Sequence, residues 1–348
     1  MHTGTLWLRI EEGRESVEFF RSVNVDWLGK KWYFLAFSLI FSVSGIISMA
    51  AHWAHPVGGV RSPVPLGVDF RGGTEVQVKF AQPPDISKIR AAIEAEGVRD
   101  AKIQNYNGSS SNEVLISLPE QSNESSLDTG RQIVVNALRE HYANPFAESD
   151  VKVDVVGPTV GRQLEVKAIE ATLLSLAGML VYLWFRFQLI YGVAAVVACF
   201  HDTLITVGAF AVLDSFGFKG MEISLTVIAA ILTLVGYSMN DTIVVFDRIR
   251  ENLRLSRRES LPDVVNRSIN QTLSRTVLTS GLTFLTVLSL LVYGGPVLRG
   301  FSFALVVGIL IGTYSSIAIA APMLVAWQQW QAGRGKAAIL PAAKRSRV

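Results

Sequence analysis

The stretch LTLVGYSMNDTIVVFDRIREN, from Leu232 to Asn252, places the carboxylate of Asp241 among apolar residues. A charged side chain near the centre of a membrane-spanning helix costs about 2.5–3.5 kcal/mol on insertion scales. Such residues usually face the interior of a helix bundle and serve ion or proton paths. Alternatively, the helix continues into the cytoplasm and Asp241 is interfacial. Asp241 precedes Asp247 by six residues, or about 9 Å of helix, which favours the inner half of a bilayer.

Asp241 belongs to one of two polar stripes in the sequence. Thr233, Tyr237 and Asn240 recur with Asp241 at i, i+4, i+7 and i+8, so the four share one helix face. The next apolar run carries a second stripe, made up of Thr272, Arg275, Thr276, Thr279, Thr283 and Thr286. Any one of these threonines is more often a packing residue than a relay. Together the stripes predict two helices that face each other, with Arg275 as the counter-charge of Asp241.

A buried Asp opposed by an Arg can act as a proton switch, because a change in their separation changes how strongly the carboxylate holds a proton. A proton crossing the membrane releases about 2.3 kcal/mol per 100 mV. The sequence therefore favours a proton-driven conformational change centred on Asp241 and Arg275.

His201 and Asp202 lie midway along another apolar run. Neighbouring positions on a helix do not face each other, so the two side chains need not form a pair. A structural hydrogen bond to a neighbouring helix and a supporting functional role both remain open for them.

The composition indicates a polytopic membrane protein that would hold these residues inside a bundle. Half of the 348 residues are apolar and only 18% are charged, below the usual quarter for soluble proteins; the mean hydropathy is +0.35. A bilayer requires about 20 apolar residues of helix. The sequence predicts six transmembrane helices from the apolar runs at 32–51, 168–185, 189–213, 223–246, 277–293 and 301–327.

The first of these runs is predicted to be an uncleaved anchor, because about thirty residues with several charges precede it and no clean cleavage site follows. The single cysteine, Cys199, rules out a disulfide framework.

Basic residues predict the orientation, since Lys and Arg in short loops favour the cytoplasm. They concentrate before the first run, after the fourth run and in the tail. The opposite loops carry little beyond Lys219 and Arg299. Both termini are therefore predicted to be cytoplasmic, and the long segment between the first two helices extracytoplasmic.

That segment has the pattern of a soluble α+β domain. TEVQVKF (Thr74–Phe80) alternates as a strand does. A helix is predicted over Asp85–Gly97, followed by the strands AKIQNY and EVLISL, a second helix over Asp128–His141 and a last strand, VKVDVV. The order β-α-β-β-α-β is the ferredoxin-like plan, which by itself indicates no function.

GVDFRGGTE (Gly67–Glu75) opens the domain. It lacks both the Lys-Ser/Thr pair of a phosphate loop and the strand that precedes one, so the residues alone favour a tight glycine turn. Nucleophile–base and metal-ligand constellations are also missing from the sequence, so an enzyme is the least favoured class.

The predicted organisation follows from these patterns. It consists of a cytoplasmic N-terminal segment (1–31), transmembrane helix 1 (32–51), the outer domain (52–167), helices 2–6 (168–327) with a basic cytoplasmic loop (248–274), and a cytoplasmic tail (328–348).

The chain resembles the SecF family of bacterial protein-export membrane subunits, relatives of the resistance-nodulation-division transporters. The segments that carry the resemblance are GVDFRGGTE, VGPTVGRQL (156–164), HDT (201–203), GYSMNDTIVVFDRIREN (236–252) and SINQTLSRTVLTS (268–280). The resemblance implies half of a twelve-helix unit, with a separate SecD chain supplying the other half.

The same resemblance implies a location in the bacterial inner membrane and a periplasmic outer domain. The implied partners are SecD, the SecYEG channel with SecA, the emerging preprotein, membrane lipid and, as a further candidate, YidC, with no nucleic acid. The proton gradient is the implied energy source and no cofactor is expected. Asp241 and Arg275 are the implied proton-coupling residues, and the family's motif turn maps to Gly67, Asp69, Phe70, Gly72 and Gly73. Arg71 stands where an uncharged residue is expected.

Two other classes stay open on the residues alone. One is a proton-coupled exporter of small molecules or lipids from the same superfamily, although an outer domain of roughly 115 residues is small for an enclosed substrate tunnel. The other is a non-transporting scaffold whose buried charges only fix helix packing.

Overall fold

The computed structural model describes residues 24–54, 61–98, 101–106, 112–118, 127–187, 189–218, 221–255 and 259–333. Most of the predicted N-terminal segment, the end of the tail and the basic residues Lys219, Arg257 and Arg258 lie outside these residues. In chain order the elements are α1 (Lys31–Ala54), α2 (Val68–Arg71), β1 (Gly73–Lys79), α3 (Ile86–Ala95), β2 (Lys102–Tyr106), β3 (Glu113–Leu118), α4 (Leu127–His141), a 3-10 turn (Glu148–Asp150), β4 (Val151–Val156), α5 (Pro158–Arg186), α6 (Leu189–Ser215), α7 (Leu225–Leu255), α8 (Leu261–Tyr293), α9 (Gly295–Ser315), a π-helix (Ser316–Ala320) and α10 (Ala321–Gly333).

Within the described residues, six helical spans are long and apolar enough to cross a membrane, which confirms the predicted number. The sixth span is α9 and α10 joined through the π-helix. Helix α9 lies at the centre of the bundle, where it packs against α6, α7 and α8.

Helix α1 crosses α6 at two glycines: a Cβ atom on Gly208 would lie only 2.8 Å from the Cα atom of Gly45. Small residues permit such close helix contacts in membranes.

Two predicted segments contain more helix than the apolar runs indicated, because polar residues extend the apolar helices. Helix α5 begins at Pro158, so residues 158–167, assigned to the outer domain, are already helical. The predicted basic loop 248–274 is mostly helix, since α7 continues to Leu255 and α8 begins at Leu261. The hydroxyl of Ser260 accepts a hydrogen bond from the Asp263 amide, which starts α8 well before its apolar part. A search for apolar runs detects the part of a helix inside lipid, but not its polar ends.

The outer domain has the predicted ferredoxin-like order. Its four-stranded antiparallel sheet has the order β2-β3-β1-β4, so β1 is an inner strand between β3 and β4. Alternate residues of β1 and β3 are buried, as expected for a sheet covered on one face. Helices α3 and α4 cover that face with Ile89, Ile93 and Leu138, each fully buried.

Two asparagines of α8 hold the residues that precede α1. The Asn266 side-chain oxygen accepts hydrogen bonds from the amides of Trp27 (2.9 Å) and Leu28 (3.2 Å). The Asn270 side chain accepts from the Val25 amide (3.2 Å) and donates to the Val25 carbonyl (2.9 Å). The start of the first span is thereby tied to the start of the fifth.

Glu75 in β1 is a charged residue in an unfavourable position. It lies directly opposite Asp154 of β4, and like charges at facing positions are destabilising. Burial is the main cause that raises the pKa of Glu75, the charges of Asp69 and Asp154 raise it further, and the hydrogen bond from Ser117 opposes the shift. A carboxyl whose folded pKa is raised contributes stability at low pH and loses it as the pH rises through that pKa.

We therefore expect Glu75→Gln to stabilise the sheet at pH 7 and to have little effect near pH 4.5, the ordinary pKa of a glutamate. Hydrogen exchange at the β1 amides of the purified full chain measures this, with the exposed Glu94→Gln as control. Equal protection of wild type and Glu75→Gln at pH 7 would contradict the expectation.

Candidate functional site

Asp241 lies at the meeting point of three helices. It is near the middle of α7, and its side chain is 3% exposed. The Ser280 hydroxyl of α8 donates a hydrogen bond to Asp241 Oδ2 at 2.8 Å, and the Thr313 hydroxyl of α9 approaches the same oxygen at 3.5 Å. The carboxylate is thus sheltered by this chain and held by hydroxyl groups, as buried polar groups require.

Arg275 does not form the predicted direct pair with Asp241. Its charge attracts the carboxylate, but among the described residues no ion pair within 4 Å joins the two, and the Arg275 side chain is exposed. The reason is helical geometry: Arg275 and Ser280 are five positions apart on α8, a rotation of about 140°. Since Ser280 faces α7, Arg275 points away from it.

The predicted stripe on α8 therefore belongs to two faces. The face toward the bundle repeats every four residues through Ser268, Thr272, Thr276 and Ser280, all buried. Arg275 and Thr279 lie on the exposed face. The Thr276 hydroxyl has no hydrogen-bond partner among the described atoms. The prediction included Thr272 and Thr276 but missed Ser280, although the four-residue spacing could have identified it.

The stripe on α7 divides in the same way. Thr233 and Asn240 are exposed, Tyr237 is half-buried, and only Asp241 is fully inside. The Thr233 hydroxyl donates to the Ala229 carbonyl of its own helix at 2.8 Å. This chain therefore leaves four polar residues of α7 and α8 exposed. We call them the outward polar surface: Thr233, Asn240, Arg275 and Thr279.

Asp202 is a second buried carboxylate and is fully enclosed. It accepts hydrogen bonds from the hydroxyls of Ser238 on α7 (2.5 Å) and Ser315 on α9 (2.7 Å). The His201 Nδ1 atom lies 3.0 Å from Asp202 Oδ1, and the other ring nitrogen contacts the Ser38 hydroxyl of α1. The adjacent residues thus do pair, and four helices meet in one hydrogen-bond network.

The two carboxylates share their supporting helices. On α7, Ser238 binds Asp202 and stands one helical turn before Asp241. On α9, Thr313 approaches Asp241 while Ser315 binds Asp202. The π-helix Ser316–Ala320 begins directly after these residues, and single π turns are frequent at functional sites. A shift of α9 relative to α7 would change the hydrogen bonds of both acids.

The motif turn lies against the outer end of the bundle. Asp69 Oδ2 accepts a hydrogen bond from the Leu225 amide, the first residue of α7, at 2.8 Å. Phe70 is buried in the bundle core. Gly72 and Gly73 have φ values of 75° and 133°, a backbone that favours glycine.

Arg71 in this turn faces the outer end of α6. Burial lowers the pKa of the Arg71 guanidinium, and the charge of Asp214 opposes that shift. Asp214 also contacts His52 at the end of α1, with 2.9 Å between Asp214 Oδ2 and His52 Nε2. The unexpected charge in the motif turn therefore has an acidic neighbour on the bundle.

One group of potential metal ligands occurs in the described residues, on the outer domain. Glu96, Glu140 and His141 bring ligand atoms within 4.8 Å of one another, and all three side chains are exposed. Chain spacing did not reveal this trio because it joins α3 to α4. It lies outside the membrane bundle and takes no part in the site around Asp241.

Comparison with known proteins shows the family. Residues 135–330 match the family described as protein export membrane protein SecD/SecF, C-terminal, and residues 60–84 match the SecD/SecF GG motif. The protein translocase subunit SecF of Koribacter versatilis is 52% identical over 399 residues, covering 93% of this chain and 96% of that relative. The chain belongs to the SecF family. The SecF of Calditerrivibrio nitroreducens is 40% identical over 310 residues, covering 86% of this chain and 93% of that protein.

Solved structures agree with the fold of this SecF-family chain. The crystal structure of SecDF, a translocon-associated membrane protein from Thermus thermophilus, has a TM-score of 0.72 and 35% identity, covering 88% of this chain and 39% of that one. SecDF in a super-membrane-facing form has a TM-score of 0.62 and 35% identity over 90% of this chain and 40% of its own. The chain thus spans about two fifths of the length of either SecDF structure. These relatives, with the six apolar spans, identify a multi-pass inner-membrane protein of the protein-translocase class.

The Asp202 network predicts a measurable coupling between α6 and α9. Residues in one hydrogen-bond network show interaction energies of about 0.5–3 kcal/mol in double-mutant cycles. We expect a value in that range for Asp202→Asn with Ser315→Ala, from unfolding of the purified chain in micelles.

Ser302→Ala is the matched control. Ser302 is also buried in α9, but its hydroxyl donates only to carbonyls of its own helix, those of Leu298 and Arg299. Asp202→Asn and Ser302→Ala should be additive. A coupling with Ser315 no larger than that with Ser302 would mean that the observed bond contributes nothing to stability.

Proposed function

We propose that this chain is an accessory subunit of the Sec protein-export machinery that works with a separate SecD chain and uses the proton-motive force. It promotes translocation and release of preproteins on the outer side of the membrane, after SecA and SecYEG have moved them; YidC is a further candidate partner. The observation that carries the proposal is the buried Asp241 carboxylate, held by hydroxyls of α8 and α9 inside the membrane bundle. No cofactor is required for this role.

The proposed orientation places both termini in the cytoplasm and the ferredoxin-like domain in the periplasm. It is supported by the basic residues at the cytoplasmic ends of α5, α7 and α8, which include Arg186, Arg250 and Arg267. The outer domain would then meet the preprotein as it emerges.

The outward polar surface supports a membrane partner. A guanidinium facing lipid within the bilayer is costly, so intramembrane Arg residues normally face a partner or a water-filled cavity. Arg275 is near the middle of α8 and, with Asn240 and Thr279, is left exposed by this chain. The SecDF structures are more than twice as long as the region this chain matches. We assign the outward polar surface to the contact with SecD, whose own acidic group would pair with Arg275.

Proton binding at Asp241 would change its hydrogen bonds. An ionised carboxylate only accepts, so the hydroxyls of Ser280 and Thr313 can both donate to it. A protonated carboxyl gains a donor, and a hydroxyl that faces this new proton must rotate or withdraw. Protonation therefore favours a different position of α8 and α9 relative to α7. The gradient supplies about 2.3 kcal/mol per proton per 100 mV to drive that cycle.

Asp241→Asn tests the proposal, because it removes the ionisable group at nearly constant volume. In proteoliposomes with SecD, SecYEG and SecA, we expect the variant to lose the gradient-stimulated part of preprotein translocation, about tenfold or more if it carries the coupling. The ATP-driven part should persist. Asp247→Asn is the control, because Asp247 is an exposed carboxylate on the same helix, and it should behave as wild type.

Ionophores separate the driving ions in the same assay. A protonophore should abolish the stimulation, whereas a Na⁺ ionophore should leave it intact. Gradient stimulation that survives Asp241→Asn would contradict the proton-coupling role.

A further inference from the structure

We propose that Asp69 is a coupling residue that transmits movement of α7 to the outer domain. Its carboxylate holds the first amide of α7 at 2.8 Å, and the strand β1 begins four residues later at Gly73. The inference rests on the proposed function of Asp241, which lies on the same helix. The coupling unit consists of residues 65–73, which we call the docking turn.

The docking turn is joined to the bundle by a short backbone ladder. The Ile223 amide donates to the Pro65 carbonyl at 2.7 Å, and the Gly67 amide donates to the Ile223 carbonyl at 2.9 Å. Ile223 lies two residues before α7. With the Asp69 bond, three hydrogen bonds fix the turn to the segment that starts α7.

Apolar contacts anchor the same turn in the membrane bundle. Leu66 and Phe70 are 7% and 5% exposed and belong to the core that includes Val227, Ala230 and Ile231 of α7. Leu66 and Phe70 therefore share one apolar core with the first turns of α7. Any axial shift of α7 that kept these contacts would carry the turn with it.

Helix α5 closes the other side of the turn. A Cβ atom at Gly161 would lie 2.7 Å from the Phe70 carbonyl oxygen and 3.1 Å from the Gly72 nitrogen, so only a glycine permits this approach. The turn is thus held between α5 and α7 and cannot move far sideways. Its remaining freedom is motion together with these helices.

The exit from the turn leads straight into the sheet. After the positive φ angles of Gly72 and Gly73, β1 pairs with β4 from Gly73 opposite Val156, and α5 begins two residues after Val156. The inner strand of the outer domain therefore starts at the bundle, and its last strand ends there, at the beginning of α5. A displacement of α7 reaches the sheet over four residues, without a long linker.

The charge of Asp69 suits this role. A carboxylate is favoured at a helix N-terminus, where the amides are unpaired and the helix dipole is positive. Arg71 within the docking turn interacts with the charge of Asp214, and Glu75, just after the turn, interacts with the charge of Asp69. Asp69 is the one described acid of the turn that bonds directly to α7.

The first test separates proton movement from protein movement. In the reconstituted complex, Asp69→Ala should keep gradient-driven proton uptake, measured with a pH-sensitive dye, within about twofold of wild type, and lose most of the gradient-stimulated translocation. Asp69→Asn, which can still accept from the Leu225 amide, should restore translocation. Asp85→Ala is the control, because Asp85 caps α3 in the outer domain through the Ser87 amide at 2.9 Å.

Two results would overturn the coupling role. One is Asp69→Ala with normal translocation; the other is parallel loss of proton uptake and translocation that Asp69→Asn does not rescue. Asp241→Asn, by contrast, should lose both activities, so failure of the proposed function is distinguishable from failure of this inference.

A reversible crosslink tests the same contact by another route. A Cβ atom on Gly67 would lie 3.7 Å from the Ser224 Cβ atom, within the range of disulfides. In the Gly67→Cys/Ser224→Cys chain carrying Asp69→Ala, oxidation should restore gradient-stimulated translocation and reduction should remove it again. If the oxidised chain is inactive with Asp69 intact, the turn must undock during the cycle and the inference is wrong.

Hydrogen exchange tests the contact between Asp69 and α7 without any translocation assay. Asp69→Ala should raise hydrogen exchange at the β1 amides Thr74–Lys79 of the full chain. Unchanged exchange there would show that Asp69 does not connect α7 to the sheet, whatever the outcome for proton use.

Discussion

A carboxylate enclosed by a membrane bundle must have hydrogen-bond donors, because lipid cannot supply them. Asp241 and Asp202 satisfy this requirement with hydroxyls from neighbouring helices: Ser280 and Thr313 for the first, Ser238 and Ser315 for the second. This constraint explains why α9, which contacts both acids, is central and why small hydroxyl residues line its contacts. It also makes the packing of α7 against α9 depend on the state of two ionisable groups, which a purely apolar interface could not do.

The sequence was sufficient for the six spans and the ferredoxin-like plan, since each depends on a periodic or compositional pattern. It favoured a position of Asp241 inside a helix bundle but left an interfacial position open. It was insufficient for the partners of Asp241. Charge favoured Arg275, but opposite charges on two helices meet only if both lie on the facing sides, and the register between α7 and α8 is set by tertiary packing. Ser280 and Thr313 carry no charge and stand among many similar residues. The helix content of residues 248–274 was underestimated for a related reason, because polar helix ends resemble loops when only apolar runs are counted.

The exposed position of Arg275 is informative in its own right. This helix pair buries one charged residue, Asp241, inside the chain and presents another, Arg275, on its outer side. Under the proposed function, the outward polar surface is a second interface, with SecD. The docking turn adds a third contact, between the bundle and the outer domain. All three involve α7, which carries Asp241 and Asn240 and begins at the amide bound by Asp69. Under the proposed function, a shift of this one helix would therefore displace both the contact with the partner and the start of the sheet.

Infrared difference spectroscopy of the reconstituted complex would test the central claim most directly, because a protonated carboxyl has a C=O band of its own. The account predicts a band that appears when the periplasmic side is acidified, disappears in Asp241→Asn and shifts in frequency in Ser280→Ala. An unchanged band in Asp241→Asn, or one that disappears only in Asp202→Asn, would contradict the account, since another acid would then bind the proton.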